Sequence, residues 1–156
     1  MTDKKDTKSE LVQNTDKESL VSIDLKPDGS KVSIMLVDDD KFLIDMYSLK
    51  FSKAGFEVKF AMDADEAIKK LHDEPAPDIL LLDVIMPGMT GLDLLEHIRK
   101  EKLVPNTIVV MLTNQGLAND IERARKYNVN GYLIKATTIP SEVVREVQNI
   151  YKNSIA

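Results

Sequence analysis

The sequence predicts an α/β fold: a doubly wound, five-stranded parallel sheet in the order 2-1-3-4-5, with five helices. Three observations carry this reading. From residue 32 onward, short apolar runs alternate with segments of helical period. The runs Val32–Val37, Ile79–Leu82 and Ile108–Leu112 are apolar almost throughout, as strands covered on both faces must be. Acidic and other polar residues fall immediately after the runs rather than inside them.

Taken in order, residues 1–19 are nearly all polar or charged. They bury too little to offset their ordering entropy, so a flexible polar tail over 1–30 is expected ahead of a domain over 31–156. Within that tail Val21, Ile23 and Leu25 alternate as a short extra strand over 20–25 would, and Pro27-Asp28-Gly29 signals a turn. The first strand, β1, is Val32–Val37. Phe42–Ala54 reads as helix α1, with Phe42, Met46, Leu49 and Phe51 near helical spacing and Gly55 as the stop. Phe56–Phe60 alternates as strand β2. Asp63 with Glu66 resembles a capping box opening α2, which runs to about His72 before Pro75 and Pro77. Strand β3, Ile79–Leu82, leads into the loop MPGMTG, and α3, Leu92–Lys100, turns Leu92, Leu95 and Ile98 inward. Strand β4 (Ile108–Leu112), helix α4 (Leu117–Tyr127), strand β5 (Tyr132–Ile134) and helix α5 (Ser141–Tyr151, Pro140 in its first turn) complete the alternation. Parallel strands joined this way commonly take the flavodoxin-like order, with ligands at the carboxyl ends beside strands 1 and 3.

Composition excludes several functions. The net charge is −5 and no Lys/Arg run could track a phosphate backbone, so direct nucleic-acid binding is not expected. Without cysteine there are neither disulfides nor thiolate metal sites. No apolar run approaches the roughly 20 residues of a membrane helix, and the polar N-terminus has no leader pattern, so a cytoplasmic location is expected.

The polar residues at the strand ends define a candidate site. Asp38, Asp39 and Asp40 follow β1, Asp83 follows β3, Thr113 follows β4 and Lys135 follows β5. A parallel sheet brings all of them to one rim, with Asp39 close to Asp83. Carboxylates gathered there repel, and a bound cation removes the conflict. An all-oxygen donor set suits Mg²⁺ or Mn²⁺. Thr113 adds a hydroxyl donor and Lys135 a mobile positive charge, enough to steady a transferring phosphoryl group while a carboxylate attacks in line. Taken singly, each residue has a plainer role: an aspartate after a strand usually caps a turn or helix, and Asp40 is read as the cap of α1. Their joint placement favours a site. His72 and His97 lie among charged neighbours in predicted helices and are read as surface residues.

The segments LVDDD (36–40), LLLDVIMPGMTG (80–91), VVMLTN (109–114) and GYLIK (131–135) resemble the receiver domain of bacterial two-component response regulators, over roughly residues 32–152. The resemblance implies that Asp83 is the phosphoacceptor. It makes Asp39 and Asp83 direct ligands of Mg²⁺, Asp38 a ligand through water, and the Ile85 backbone carbonyl the remaining protein ligand. Thr113 and Lys135 match the switch hydroxyl and the phosphate-binding lysine, and Tyr132 the aromatic rotamer switch. Pro87, Gly88 and Gly91 match the loop-shaping positions after the acceptor. It further implies a histidine kinase or histidine phosphotransfer protein as donor. Nothing resembling an output domain follows α5, so output is expected through a partner, a homodimer face or onward transfer to another histidine, with the face formed by α4, β5 and α5 changing on phosphorylation. Two positions depart from the family. Ala136 follows Lys135 where proline, often cis, is usual; a non-proline cis bond costs about 2.5–4 kcal/mol, so a trans bond is expected. Asn114 stands where a small residue is common, which implies an altered phosphoryl lifetime. Two rivals remain. Asp38-x-Asp40 also resembles the nucleophile motif of haloacid-dehalogenase-like phosphatases, which would leave Asp83 unexplained. A receiver fold acting without phosphate would leave the full residue set unexplained.

Overall fold

A computed structural model describes residues 21–114 and 117–155. Five parallel strands form one sheet in the order β2-β1-β3-β4-β5. The strands are β1 Ser33–Val37, β2 Glu57–Ala61, β3 Ile79–Asp83, β4 Ile108–Thr113 and β5 Gly131–Ile134. The helices are α1 Lys41–Lys53, α2 Ala64–Asp73, α3 Gly91–Lys100, α4 Ala118–Lys126 and α5 Pro140–Ile155, with a 3₁₀ turn at Lys135–Thr137. The predicted order and alternation are those observed.

Strand periodicity explains the two-sided core. Met35, Val37, Leu80, Leu82, Val109 and Met111 point to one face, where they pack with α2, α3 and α4. Their neighbours Ile34, Leu36, Ile79, Leu81, Val110 and Leu112 point to the other, against α1 and α5. Both sets are buried, which is why these runs show no alternation in sequence. Helix starts are secured locally. Asp40 accepts from the Phe42 and Leu43 N–H groups, and Asp63 accepts from Glu66 N–H while the Glu66 carboxylate accepts from Met62 N–H.

Two expectations need correction. Helix α1 buries Ile44, Tyr47 and Phe51, whereas Phe42 is 75% and Leu49 57% exposed. The helix carries two apolar stripes, 42-46-49 and 44-47-51, and spacing alone does not choose between them. The extra strand expected over 20–25 begins outside the described residues, and residues 21–26 form no strand. Both edges of β1 are taken, by β2 and β3. The segment lies across the domain instead. Ile23 N–H donates to the Ala54 carbonyl at 2.8 Å, and Gln148 Nε2 donates to the Val21 carbonyl at 2.8 Å. Ile23 is buried among residues that include Phe51, Phe56 and Tyr151. Gly55, at φ +95°, supplies the left-handed turn that ends α1 beside it. Further on, Lys26 Nζ pairs with Asp78 at 3.2 Å, and Asp78 also accepts from Ser33 N–H at 2.9 Å. The polar tail expected over 1–30 therefore has its last part, from residue 21, docked on the domain; residues 1–20 lie outside the described residues.

Because Ile23 belongs to the core, Ile23→Ala should lower unfolding free energy by about 2–4 kcal/mol. Urea denaturation measures it, and an unchanged midpoint would show that the segment merely rests on the surface.

Candidate functional site

The register of the central strands builds the site. Val37 pairs with Leu82, so the residues that follow, Asp38 and Asp83, leave neighbouring strands at one level. Asp38, Asp39 and Asp83 bring carboxylate oxygens within 4.8 Å of one another. Asp38 and Asp83 are buried, each 7% exposed, while Asp39 faces solvent. Asp40 is committed to its cap, and its own N–H donates to Asp38 Oδ1 at 2.9 Å. On the far side, Thr113 pairs with Ile134, which puts Lys135 one residue beyond the sheet. Lys135 Nζ reaches back to Asp38 Oδ2 at 2.9 Å and to Asp83 Oδ1 at 3.4 Å. The peptide bonds of the described residues are trans, so Lys135 reaches the carboxylates from a trans 3₁₀ turn, as Ala136 led us to expect.

Charge in the cluster does not balance. Among the described residues, three carboxylates gather beside one ammonium, which bonds Asp38 and Asp83. Burial pushes the Asp83 carboxyl up to about 6; Lys135 pulls it down, but Asp38 and Asp39 add to the rise. Burial also works against the Lys135 ammonium, yet its hydrogen bond to Asp38 and the charges of Asp83 and Asp38 outweigh that, and its pKa is raised. The carboxylate charges favour the Lys135 cation, and burial together with those charges disfavours a further anion at Asp83. The oxygen-only donor set, two of its members buried, fits a hard divalent cation.

The loop after Asp83 is held against the site. Gly91 N–H donates to the Val84 carbonyl at 2.9 Å, and a Cβ at Gly91 would lie 1.9 Å from the Asp83 carbonyl oxygen. Glycine is required here by close approach. Gly88, at φ +78°, turns the loop, and Pro87 and Gly88 line an open groove with Asp39 and Asp63. The Ile85 side chain is exposed. Thr90 and Asp93 form a capping box at the start of α3, and Asp93 also pairs with Arg123 of α4 at 2.7 Å. Arg123 bonds Glu96 as well, at 2.9 Å, and Glu96 accepts from the Tyr127 hydroxyl at 2.8 Å.

Thr113 closes β4 and is buried. Tyr132 packs against the core on the α3–α4 side, and its hydroxyl is enclosed without a hydrogen-bond partner among the described residues. Asn114, beside Thr113, is exposed. Sequence reasoning missed Tyr47. It lines a cavity of about 10 Å³ whose wall also includes Asp38 and Asp83. In sequence it is one more aromatic in an apolar helix, with no mark of its nearness to the rim.

Comparison with known proteins agrees with this geometry. A family model described as a response regulator receiver domain matches residues 34–147. The Escherichia coli phosphate regulon transcriptional regulatory protein PhoB is 30% identical over 119 residues, 76% of this chain and 51% of that protein. A Mycobacterium tuberculosis protein described as the probable transcriptional regulatory protein TcrX is 31% identical over 77% of this chain and 50% of its own length. The chain thus spans about half the length of these curated relatives. Among solved structures, the chemotaxis protein CheY4 of Vibrio cholerae superposes with a TM-score of 0.71 at 26% identity, covering 78% of this chain and 99% of CheY4. A CheY-like receiver domain protein from Methanospirillum hungatei has a TM-score of 0.73 at 24% identity, covering 81% and 98%, and shows the shared fold.

The raised Asp83 pKa fixes a sign for pH dependence. Asp83 binds its proton more tightly in the folded chain than the usual 3.8 allows, so its contribution to stability falls as pH rises from about 4 through about 6. With a chelator present, Asp83→Asn should gain stability over wild type by on the order of 2–3 kcal/mol between pH 4 and pH 7. Urea unfolding at both pH values checks this; a flat difference would contradict it.

Proposed function

The chain belongs to the response regulator receiver family of two-component systems, and we propose that it is a phosphorylation switch whose acceptor is Asp83. One observation carries the reading: three carboxylates converge within 4.8 Å around a partly buried lysine that bonds two of them. Asp38, Asp39, Asp83 and the Ile85 carbonyl would hold Mg²⁺ or Mn²⁺, which supplies positive charge to the carboxylates and to incoming phosphoryl oxygens.

The donor is a phosphohistidine on a histidine kinase or phosphotransfer protein. An Asp83 oxygen attacks phosphorus, the phosphorus–nitrogen bond breaks, and the imidazole leaves with its electron pair. Lys135 shifts its charge from the carboxylates to the phosphoryl oxygens, and Thr113 donates its hydroxyl. The chain's own residues thus promote both gain and loss of the phosphoryl group. Pro87, Gly88 and Gly91 keep the acceptor loop in place. Once Asp83 carries the new charge, Thr113 and Tyr132 bias the face made by α4, β5 and α5 toward the state that a partner reads. A cytoplasmic location and a separate output protein complete this reading. The rival phosphatase reading is not favoured, because it assigns no role to Asp83.

Incubation with a small phosphodonor and Mg²⁺, followed by intact-mass measurement, tests the proposal. One phosphoryl group should be gained by wild type and none by Asp83→Asn; equal gain by both would reject Asp83 as acceptor. A second expectation concerns Tyr132. Its buried hydroxyl has no partner among the described residues, so Tyr132→Phe should leave stability unchanged or raise it by about 1 kcal/mol. A loss exceeding about 1 kcal/mol in chemical denaturation would mean that the hydroxyl is bonded in solution.

A further inference from the structure

We propose that Tyr47 is a positioning residue of the acidic site: facing Asp38 across a small cavity, its phenol orients that carboxylate and so sets the affinity for a divalent cation. The proposal rests on the reading of Asp38, Asp39 and Asp83 as a cation-binding phosphoacceptor centre.

Helix α1 starts at the rim, capped by Asp40. Helical side chains lean back toward the helix N-terminus. A long side chain about two turns into α1 therefore extends toward the carboxylates. Tyr47 is buried and lines the 10 Å³ cavity, in which Asp38, Asp83 and Tyr47 are the polar residues and Leu36, Leu81 and Leu112 are among the apolar ones. That volume is about the room one water needs, and such a water requires two to four polar partners. The cavity wall supplies three polar residues. The Tyr47 phenol is pushed up by burial, pulled down by Lys135 and raised by Asp38, so it lies within the field of both charges.

Asp38 has capacity for this contact. Its Oδ1 accepts from Asp40 N–H and its Oδ2 from Lys135, and each carboxylate oxygen can accept a second bond. Among the groups lining the cavity the phenol is the neutral donor. Donation from Tyr47 through one water in the cavity holds Asp38 in its orientation without adding charge.

Calorimetric Mg²⁺ titration of wild type, Tyr47→Phe, Asp38→Asn and the double variant tests this. Tyr47→Phe should weaken Mg²⁺ binding about tenfold or more, the scale of one net hydrogen bond to a charged group, while its thermal midpoint stays within about 2 °C of wild type. In the Asp38→Asn background the same change should have no further effect, because coupled residues are not additive. Unchanged affinity in Tyr47→Phe, or the same fold loss in both backgrounds, overturns the proposal while leaving the cation site intact. Wild type that binds no Mg²⁺ overturns the parent reading and this one together.

Discussion

The partly buried contact of Lys135 with Asp38 and Asp83 organises this domain. It joins the ends of three strands, β1, β3 and β5, through one ammonium. Burying charge is expensive, and a buried ion cluster is weak evidence for stability. The cluster is better understood as poised. Lys135 is the internal counter-charge of an overcrowded carboxylate site, and burial, with Asp38 and Asp39 adding to it, raises the Asp83 carboxyl to about 6. Anything that brings more positive charge relieves Asp83, and anything that brings phosphoryl oxygens gives Lys135 a new partner.

The site is tied to the rest of the molecule by short-range contacts. Gly91 lets α3 begin against the Asp83 backbone, and the capping box that starts α3 uses Asp93, which also holds Arg123. Arg123 and Tyr127 meet again at Glu96, whose carboxyl is held down at about 2 by bonds to Lys100, Tyr127 and Arg123. Movement of the loop after Asp83 would therefore be felt in α4. These exposed pairs add little stability individually; their value is geometric, since they fix how α4 sits relative to the loop.

Much of this was legible in the sequence because a parallel sheet imposes it. Once the apolar runs are strands, Asp38, Asp39, Asp83, Thr113 and Lys135 must gather at one rim, and each directly follows or ends its run. Features that depend on distant partners were hidden. The inward face of α1 was ambiguous because its two apolar stripes compete. The docking of Ile23 depends on Ala54 and on a pocket completed by α5, neither of which a local alternation can announce. Gly91 looked like one loop glycine among several until its distance to the Asp83 carbonyl was known. Tyr47 blended into an apolar helix.

If Lys135 is the counter-charge that a cation must work against, removing it should make the site bind metal more strongly. The direct measurement is Mg²⁺ affinity of Lys135→Met against wild type at neutral pH and fixed ionic strength. Tighter binding by severalfold or more is predicted, since the carboxylates lose their competing ammonium. Equal or weaker binding would contradict the account, because it would mean that the lysine and the cation do not share the same charge.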